Sequence, residues 1–348
     1  MKRVQNGLQQ VINSVLGLLS RLCLKTNINN KNITTMKKLS TTLILLLIAV
    51  TAIMAQTPEQ WGKLEKEVNF YVANDLGRNG YYEQKPIAEL MGRMAETVGI
   101  ECVAAPGDVH HFEGVRSTND PLWMTNYELI YSHPELMLDW YPTLGNHEYR
   151  GNTQAVLDYA GVSARWAMPA RYYTKVIEDG GVTVRLVFLD TAPMIDKYRN
   201  DTEKYPDAGK QDYKKQLEWL DSVLSSAKED WVIVLGHHPV YADTGKDTSE
   251  RGDMQARLNP ILTKHKNVSM YVCGHIHNFQ HIRKPGCNID YVVNTSGSLS
   301  RPKVKAVDGT QFCSGVAGFS LVCADKTTLS LHLIDKDGKV VYTVNHKK

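Results

Sequence analysis

The first 55 residues contain no aspartate and no glutamate, yet they hold Lys2, Arg3, Arg21, Lys25, Lys31, Lys37 and Lys38. That absence changes how the charge of the chain is read. The 348 residues carry 40 Lys+Arg against 37 Asp+Glu, formally +3, but without those seven cations the remainder has 33 against 37, a net of −4. The remainder also lacks any block of Lys or Arg, so nucleic acid is not an expected partner, because affinity for a phosphate backbone needs clustered cations. No Gly-x-Ser-x-Gly elbow and no Gly-Lys-Ser/Thr phosphate loop occurs. There is no internal repeat or low-complexity linker, and 43% hydrophobic with 22% charged residues excludes disorder and collagen-like repeats.

Long apolar runs are missing too. The run Leu43–Val50 is too short to span a bilayer comfortably. It follows Met36-Lys37-Lys38 and leads to the small residue Ala55, the pattern of a secretory signal peptide cleaved before Gln56. Met36 begins a complete signal by itself, so residues 1–35 are either untranslated or an extension of the basic end. No cysteine follows the run closely, so a bacterial lipid anchor is not indicated. Residues 1–55 are therefore expected to be leader and signal peptide and 56–348 a single domain. The protein is expected to be secreted or periplasmic, with no stable membrane span after cleavage.

Cysteines are few and odd in number after residue 55: Cys102, Cys273, Cys287, Cys313 and Cys323. An oxidising compartment would leave at least one thiol free. Cys102 and Cys273 sit in apolar strand-like runs and are expected in the core, where Cys273 would be a poor nucleophile. Cys287 with Cys313 or Cys323 is the plausible disulfide.

What is there is alternation. Strand-like runs at 68–74, 100–105, 172–177, 182–189, 231–235 and 268–273 are interleaved with helical patterns around 84–98, 122–131, 211–227 and 254–264. This implies βαβ crossovers and a sheet covered by helices. Runs at 290–294, 318–322, 328–334 and 340–345 are separated by turns and read as antiparallel strands. The whole is expected to be one α/β domain with two packed sheets.

Five apolar runs end the same way, each followed at once by a metal-competent side chain: Asp75, Asp108, Asn146-His147, His237-His238 and His275-x-His277. Carboxyl ends of strands in an open α/β sheet share one edge, where ligands collect. A glycine beside most of these side chains lets the backbone turn and approach closely. Carboxylates, an amide and imidazoles together suit two metal ions, with one aspartate as bridge. Two such ions bind phosphate oxygens and acidify a water.

The ordered motifs Asp75-x-Gly77, Gly107-Asp108, Gly145-Asn146-His147-Glu148, Gly236-His237-His238-Pro239-Val240 and Gly274-His275-x-His277 resemble those of the calcineurin-like metallophosphoesterases. Within that family the chain resembles the tartrate-resistant, purple acid phosphatase group. Arg165–Pro169, Phe188–Thr191, Gln216–Leu220 and Glu229–Val232 extend the likeness over roughly residues 68–345. The resemblance implies a four-layer α/β/β/α sandwich of two mixed sheets. It implies one metal on Asp75, Asp108 and His277, and a second on Asp108, Asn146, His237 and His275. His147 would protonate the leaving alkoxide or steady the phosphate, and His238 would line the phosphate pocket or stand behind the ligands. In the purple enzymes a tyrosine three residues after the bridging aspartate ligates ferric iron, and here that position is His111. A neutral imidazole donates less charge than a phenolate, so His111 as fourth ligand of the first metal favours divalent Fe, Mn or Zn over Fe(III) and a colourless protein. His110 is the alternative if the loop registers differently.

The expected activity is that of a metal-dependent, acid-phosphatase-like phosphomonoesterase acting on a small phosphate ester through a metal-bound hydroxide. The alternatives are a phosphodiesterase or nucleotide hydrolase on the same core, or a non-catalytic phosphate- or partner-binding module. Loops 114–121, 196–209 and 242–252 are expected to set substrate choice.

Overall fold

The computed structural model describes residues 58–245 and 248–348; the leader and signal-peptide reading lies outside them. Among the described residues no helix is long and apolar enough to cross a membrane. Two mixed sheets form the core. The six-stranded sheet has the order β13-β12-β11-β1-β2-β3 and the seven-stranded sheet β10-β8-β9-β7-β6-β5-β4. In chain order the strands are β1 Val68–Val72, β2 Val103–Pro106, β3 Trp140–Thr143, β4 Tyr173–Asp179, β5 Val182–Phe188, β6 Trp231–Leu235, β7 Val268–Cys273, β8 Phe279–Ile282, β9 Asp290–Val293, β10 Thr310–Ser314, β11 Gly318–Ala324, β12 Thr328–Asp335 and β13 Val340–Lys347. β1, β6 and β7 are buried throughout, as continuous apolar runs covered on both faces must be.

Helices close the outer faces. Tyr71 of β1 donates its hydroxyl to the Met91 carbonyl of α1 (Gln84–Ala95) at 3.0 Å, which fixes that helix on the first sheet. Behind the second sheet, Gln216 of α2 (Tyr213–Ser226) exchanges two 2.9 Å hydrogen bonds with the backbone of Asp190, just past β5.

Three expectations are corrected. The run at 290–294 is not purely antiparallel: β9 pairs parallel to β7, with Met270 opposite Asp290, and only its other edge is antiparallel, to β8. Side-chain alternation is the same in both directions, so sequence pattern does not separate them. Around 122–131 the helix is short and distorted: it is helical from Leu122 and widens to a π-turn over Met124–Glu128, where buried Asn126 gives its carbonyl to the Gln84 side chain and its Oδ1 to the Asn79 N–H. The helix at 254–264 is two, α3 (Thr248–Arg257) and α4 (Asn259–Lys264); Pro260 has no N–H to continue the first.

The cysteine expectations divide. Cys102 and Cys273 are buried as expected, and burial pushes both thiols far up. Cys287, Cys313 and Cys323 are all free. Cys323 is a buried member of β11 in one sheet, whereas Cys287 precedes β9 in the other.

Where the sheets meet, a polar seam runs through the interior. Asn294 donates to the Val72 carbonyl (3.0 Å) and to Asn74 Oδ1 (2.7 Å), and the hydroxyls of Ser296 and Ser298 donate to the Asp75 carbonyl at 2.7 and 2.8 Å. All of these residues are fully buried, so the seam satisfies its own polar groups.

Candidate metal centre

β1, β2 and β3 are parallel neighbours in one sheet, and β6 and β7 in the other, so their carboxyl ends open onto one edge. Asp75, Asp108 and Asn146-His147 follow the first three; His237-His238 and His275-x-His277 follow the other two. Among the described residues, six non-glycines have positive φ, and four of them belong to this set: Asp75 (53°), Asp108 (53°), His275 (72°) and His277 (62°). Side chains rarely tolerate that conformation, and its concentration here marks backbone bent to aim these groups. Two glycines leave the necessary room. A Cβ on Gly145 would lie 2.2 Å from Asp108 Oδ1, and one on Gly274 would lie 2.5 Å from Asp75 Oδ2.

Each carboxylate has one oxygen fixed and one free. Asp75 Oδ2 accepts from the Asn74 side chain (2.6 Å) and the His275 N–H (2.8 Å), leaving Oδ1 facing His277 Nε2 at 3.1 Å. Asp108 Oδ1 accepts the His147 N–H at 2.9 Å. Its Oδ2 stands among three imidazoles, with the Nε2 atoms of His237, His111 and His147 at 3.0, 3.6 and 3.9 Å. Asp108 is thus central, where a bridging carboxylate belongs.

The imidazoles are oriented from behind. Nδ1 of His237, His277 and His147 donates to the carbonyls of Pro106 (3.0 Å), Leu299 (2.6 Å) and Phe112 (2.6 Å), so each ring turns Nε2 inward, the nitrogen a metal would take. His275 is reversed: its Nε2 meets Glu250 Oε2 at 2.8 Å and its Nδ1 faces His237 Nε2 at 3.3 Å. His238 differs again. Thr191 Oγ1 already accepts the N–H groups of His237 and His238, so its own proton goes to His238 Nδ1 at 2.8 Å, which assigns the other ring proton to Nε2. That makes His238, which is fully buried, a donor rather than a metal ligand.

Several buried atoms have no hydrogen-bond partner: Asp75 Oδ1, Asn146 Oδ1, both nitrogens of His111 and Nε2 of His238. Unpaired donors and acceptors this deep are costly unless something outside the protein meets them. Overlapping groups of acidic and imidazole side chains able to hold an ion contain every expected site residue except Asn146: Asp75–His111–His277, Asp75–Asp108–His237, Asp108–His111–His147 and His237–His238–His275, the last including His238, whose Thr191 contact makes it a donor. The donor set fits two metal ions. His111 lies inside the site, whereas the ring of His110 packs edge-on against Trp123 at 4.4 Å, so the register is that of His111.

The charge states suit the same purpose. Burial works to raise the carboxyls of Asp75 and Asp108, but the facing imidazoles, His277 for the first and His237 for the second, outweigh it and hold both well below the usual range. Burial pushes the pKa values of His111, His147 and His238 down, which favours their neutral forms.

Residues without an expected role also build the site. Glu148 lies beneath the Asp108 turn, and burial together with the Asp108 charge pushes its carboxyl up to about 7. Glu250 orients His275, and the Asn294–Ser298 segment anchors Asp75. The segment carries the same signal as the other five strand ends, a polar run directly after a buried strand.

A family model described as calcineurin-like phosphoesterase matches residues 68–279. Purple acid phosphatase 3 of Arabidopsis thaliana is 33% identical over 250 residues, covering 69% of this chain and 65% of that protein. Purple acid phosphatase 7 of the same plant is 29% identical over 287 residues, covering 80% and 83%. Tartrate-resistant acid phosphatase type 5 of Rattus norvegicus is 28% identical over 272 residues, covering 73% and 81%. Among solved structures, GAP50, the anchor in the inner membrane complex of Plasmodium, superposes with a TM-score of 0.69 at 22% identity over 81% of this chain and 89% of its own. A dimetal phosphatase from Danio rerio gives 0.59 at 13% identity over 81% and 99%. These two likenesses speak for the fold.

Proposed function

The chain belongs to the calcineurin-like phosphoesterase family, whose relatives here are purple and tartrate-resistant acid phosphatases, and on that premise we propose a secreted or periplasmic phosphomonoesterase with two divalent metals. The observation that carries this reading is the convergence of unpaired buried donors around Asp108 Oδ2. Asp75, Asp108, His277 and His111 would hold one ion, and Asp108, Asn146, His237 and His275 the other. The metals, when bound, supply charge neutralisation for the phosphate and acidify a water.

The chain's own groups do the rest. Asp108 keeps the two ions together, and the left-handed turns hold the ligands in place before substrate arrives. His147, its Nδ1–H fixed on the Phe112 carbonyl, presents Nε2 beside Asp108; once that nitrogen has also taken up a proton, the ring hands it to the departing alkoxide. His238 offers Nε2–H toward the phosphate. Export is supported by the signal-like sequence ahead of Gln56, and divalent metals by the imidazole of His111 at the tyrosine position.

The test is hydrolysis of a monoester and a diester reporter by metal-defined protein, with Asp108→Asn as control. Monoester turnover that collapses in the variant is expected. Preference for the diester would make the protein a phosphodiesterase, and equal activity of the variant would end the two-metal reading.

A further inference from the structure

Beside the metal cluster, sharing His111 as a wall, lies an open pocket of about 390 Å³ lined by Arg78, Asn79, Tyr81, Tyr82 and Phe112. Three of its walls are aromatic rings left in solvent: Tyr81 is 71% exposed, Tyr82 60% and Phe112 59%. Apolar rings gathered at one opening mark a binding surface, since folding alone gains nothing from exposing them. Tyr82 is moreover held at φ 56°, a conformation that disfavours a bulky side chain.

Arg78 supplies the charge. It is 8% exposed, its guanidinium makes no hydrogen bond to any described residue, and Nε is buried without a partner. The group lies over the Phe112 ring, 4.5 Å from its centroid, and within the electrostatic reach of Asp75 and Asp108. An unpaired buried cation between a metal cluster and aromatic walls calls for an anion on one side and a ring on the other.

We propose that this pocket is a subsite for the organic part of the substrate and selects phosphomonoesters whose alcohol carries a planar aromatic ring system, nucleoside 5′-monophosphates being the probe. Arg78 takes a phosphate oxygen while Tyr81, Tyr82 and Phe112 stack on the ring. The inference rests on the phosphomonoesterase reading above.

Adenosine 5′-monophosphate and ribose 5-phosphate release the same kind of primary alkoxide, so comparing them isolates the ring. The native protein is expected to favour the nucleotide in kcat/KM by at least about tenfold, the scale of one stacked base. Tyr81→Ala/Tyr82→Ala, which alters only exposed side chains, should remove that preference and leave ribose 5-phosphate unchanged. Equal use of both esters by the native protein, or parallel losses in the variant, would overturn the subsite. A second readout needs no turnover: binding of the non-hydrolysable phosphonate analogue of adenosine 5′-monophosphate to metal-loaded protein, followed by isothermal titration calorimetry. It should weaken at least about tenfold in the double variant while inorganic phosphate binds as before. If neither ester is hydrolysed yet the analogue binds in this ring-dependent way, the proposed activity fails and the subsite stands; ring-independent binding refutes the subsite whatever the activity.

Discussion

The carboxylate of Glu148 accepts the backbone N–H of Asp108 at 2.9 Å, and it also accepts those of His110 (3.0 Å) and Gly145 (2.7 Å). One acid therefore ties the turn after β2 to the turn after β3. Glu148→Gln turns an NH₂ group toward backbone N–H donors and loses part of this clamp. Metal affinity and kcat/KM should fall about 10- to 100-fold, the cost usual for a group supporting metal ligands. Elemental analysis of dialysed protein alongside kinetics checks this; full occupancy with full activity would contradict it.

His147 is assigned a proton rather than a metal. His147→Ala should therefore cost about 10²- to 10⁴-fold on alkyl phosphates, whose alkoxides need protonation, and much less on aryl phosphates with acidic phenols. A uniform loss across a leaving-group series would point to phosphate binding instead.

Colour tests the metal assignment. The iron-loaded native protein should show no ferric-phenolate band in its visible spectrum, whereas His111→Tyr, placing a phenol beside Asp75, Asp108 and His277, should acquire one. A band in the native spectrum would overturn the divalent reading.

Asp190 predicts a pH effect on stability. Burial pushes its carboxyl up to about 7, against the Arg171 charge and the hydrogen bond donated by Tyr149. From roughly pH 4 to 7 the native state holds a proton that the unfolded chain has released, so native stability falls as pH rises through that window. Asp190→Asn should remove a slope of up to about 1.4 kcal/mol per pH unit, visible in urea unfolding at several pH values. Parallel slopes for the two proteins would refute the assignment.

What could be read in advance followed from how local each signal is. Asp75, Asp108 and the His275-x-His277 pair were legible because a strand end, a glycine and a ligand lie within a few residues of one another. The role of Glu148 was not, since its partners are backbone N–H groups as far as 40 residues away. Loops 114–121, 196–209 and 242–252 are where sequence places substrate choice, and the pocket beside His111, lined by Arg78, Asn79, Tyr81, Tyr82 and Phe112, adds a surface that no local pattern marks. Exposure of Tyr81 and the left-handed turn at Tyr82 are products of tertiary packing, which pushes rings outward that local pattern would place inside. Likewise, the direction of β9 depends on which neighbours it meets.

The pairing of β1 bears on how the chain is made. That strand is parallel to β2 on one side and antiparallel to β11 on the other, with Val68 opposite Ala324. A chain emerging from the ribosome amino end first cannot close this sheet until nearly all of it is out. The strand that delivers Asp75 then waits with one edge open, so contacts of long sequence separation slow its completion. Any metal capture would then be a late event in the life of the polypeptide, at whichever side of a membrane the finished sheet is formed.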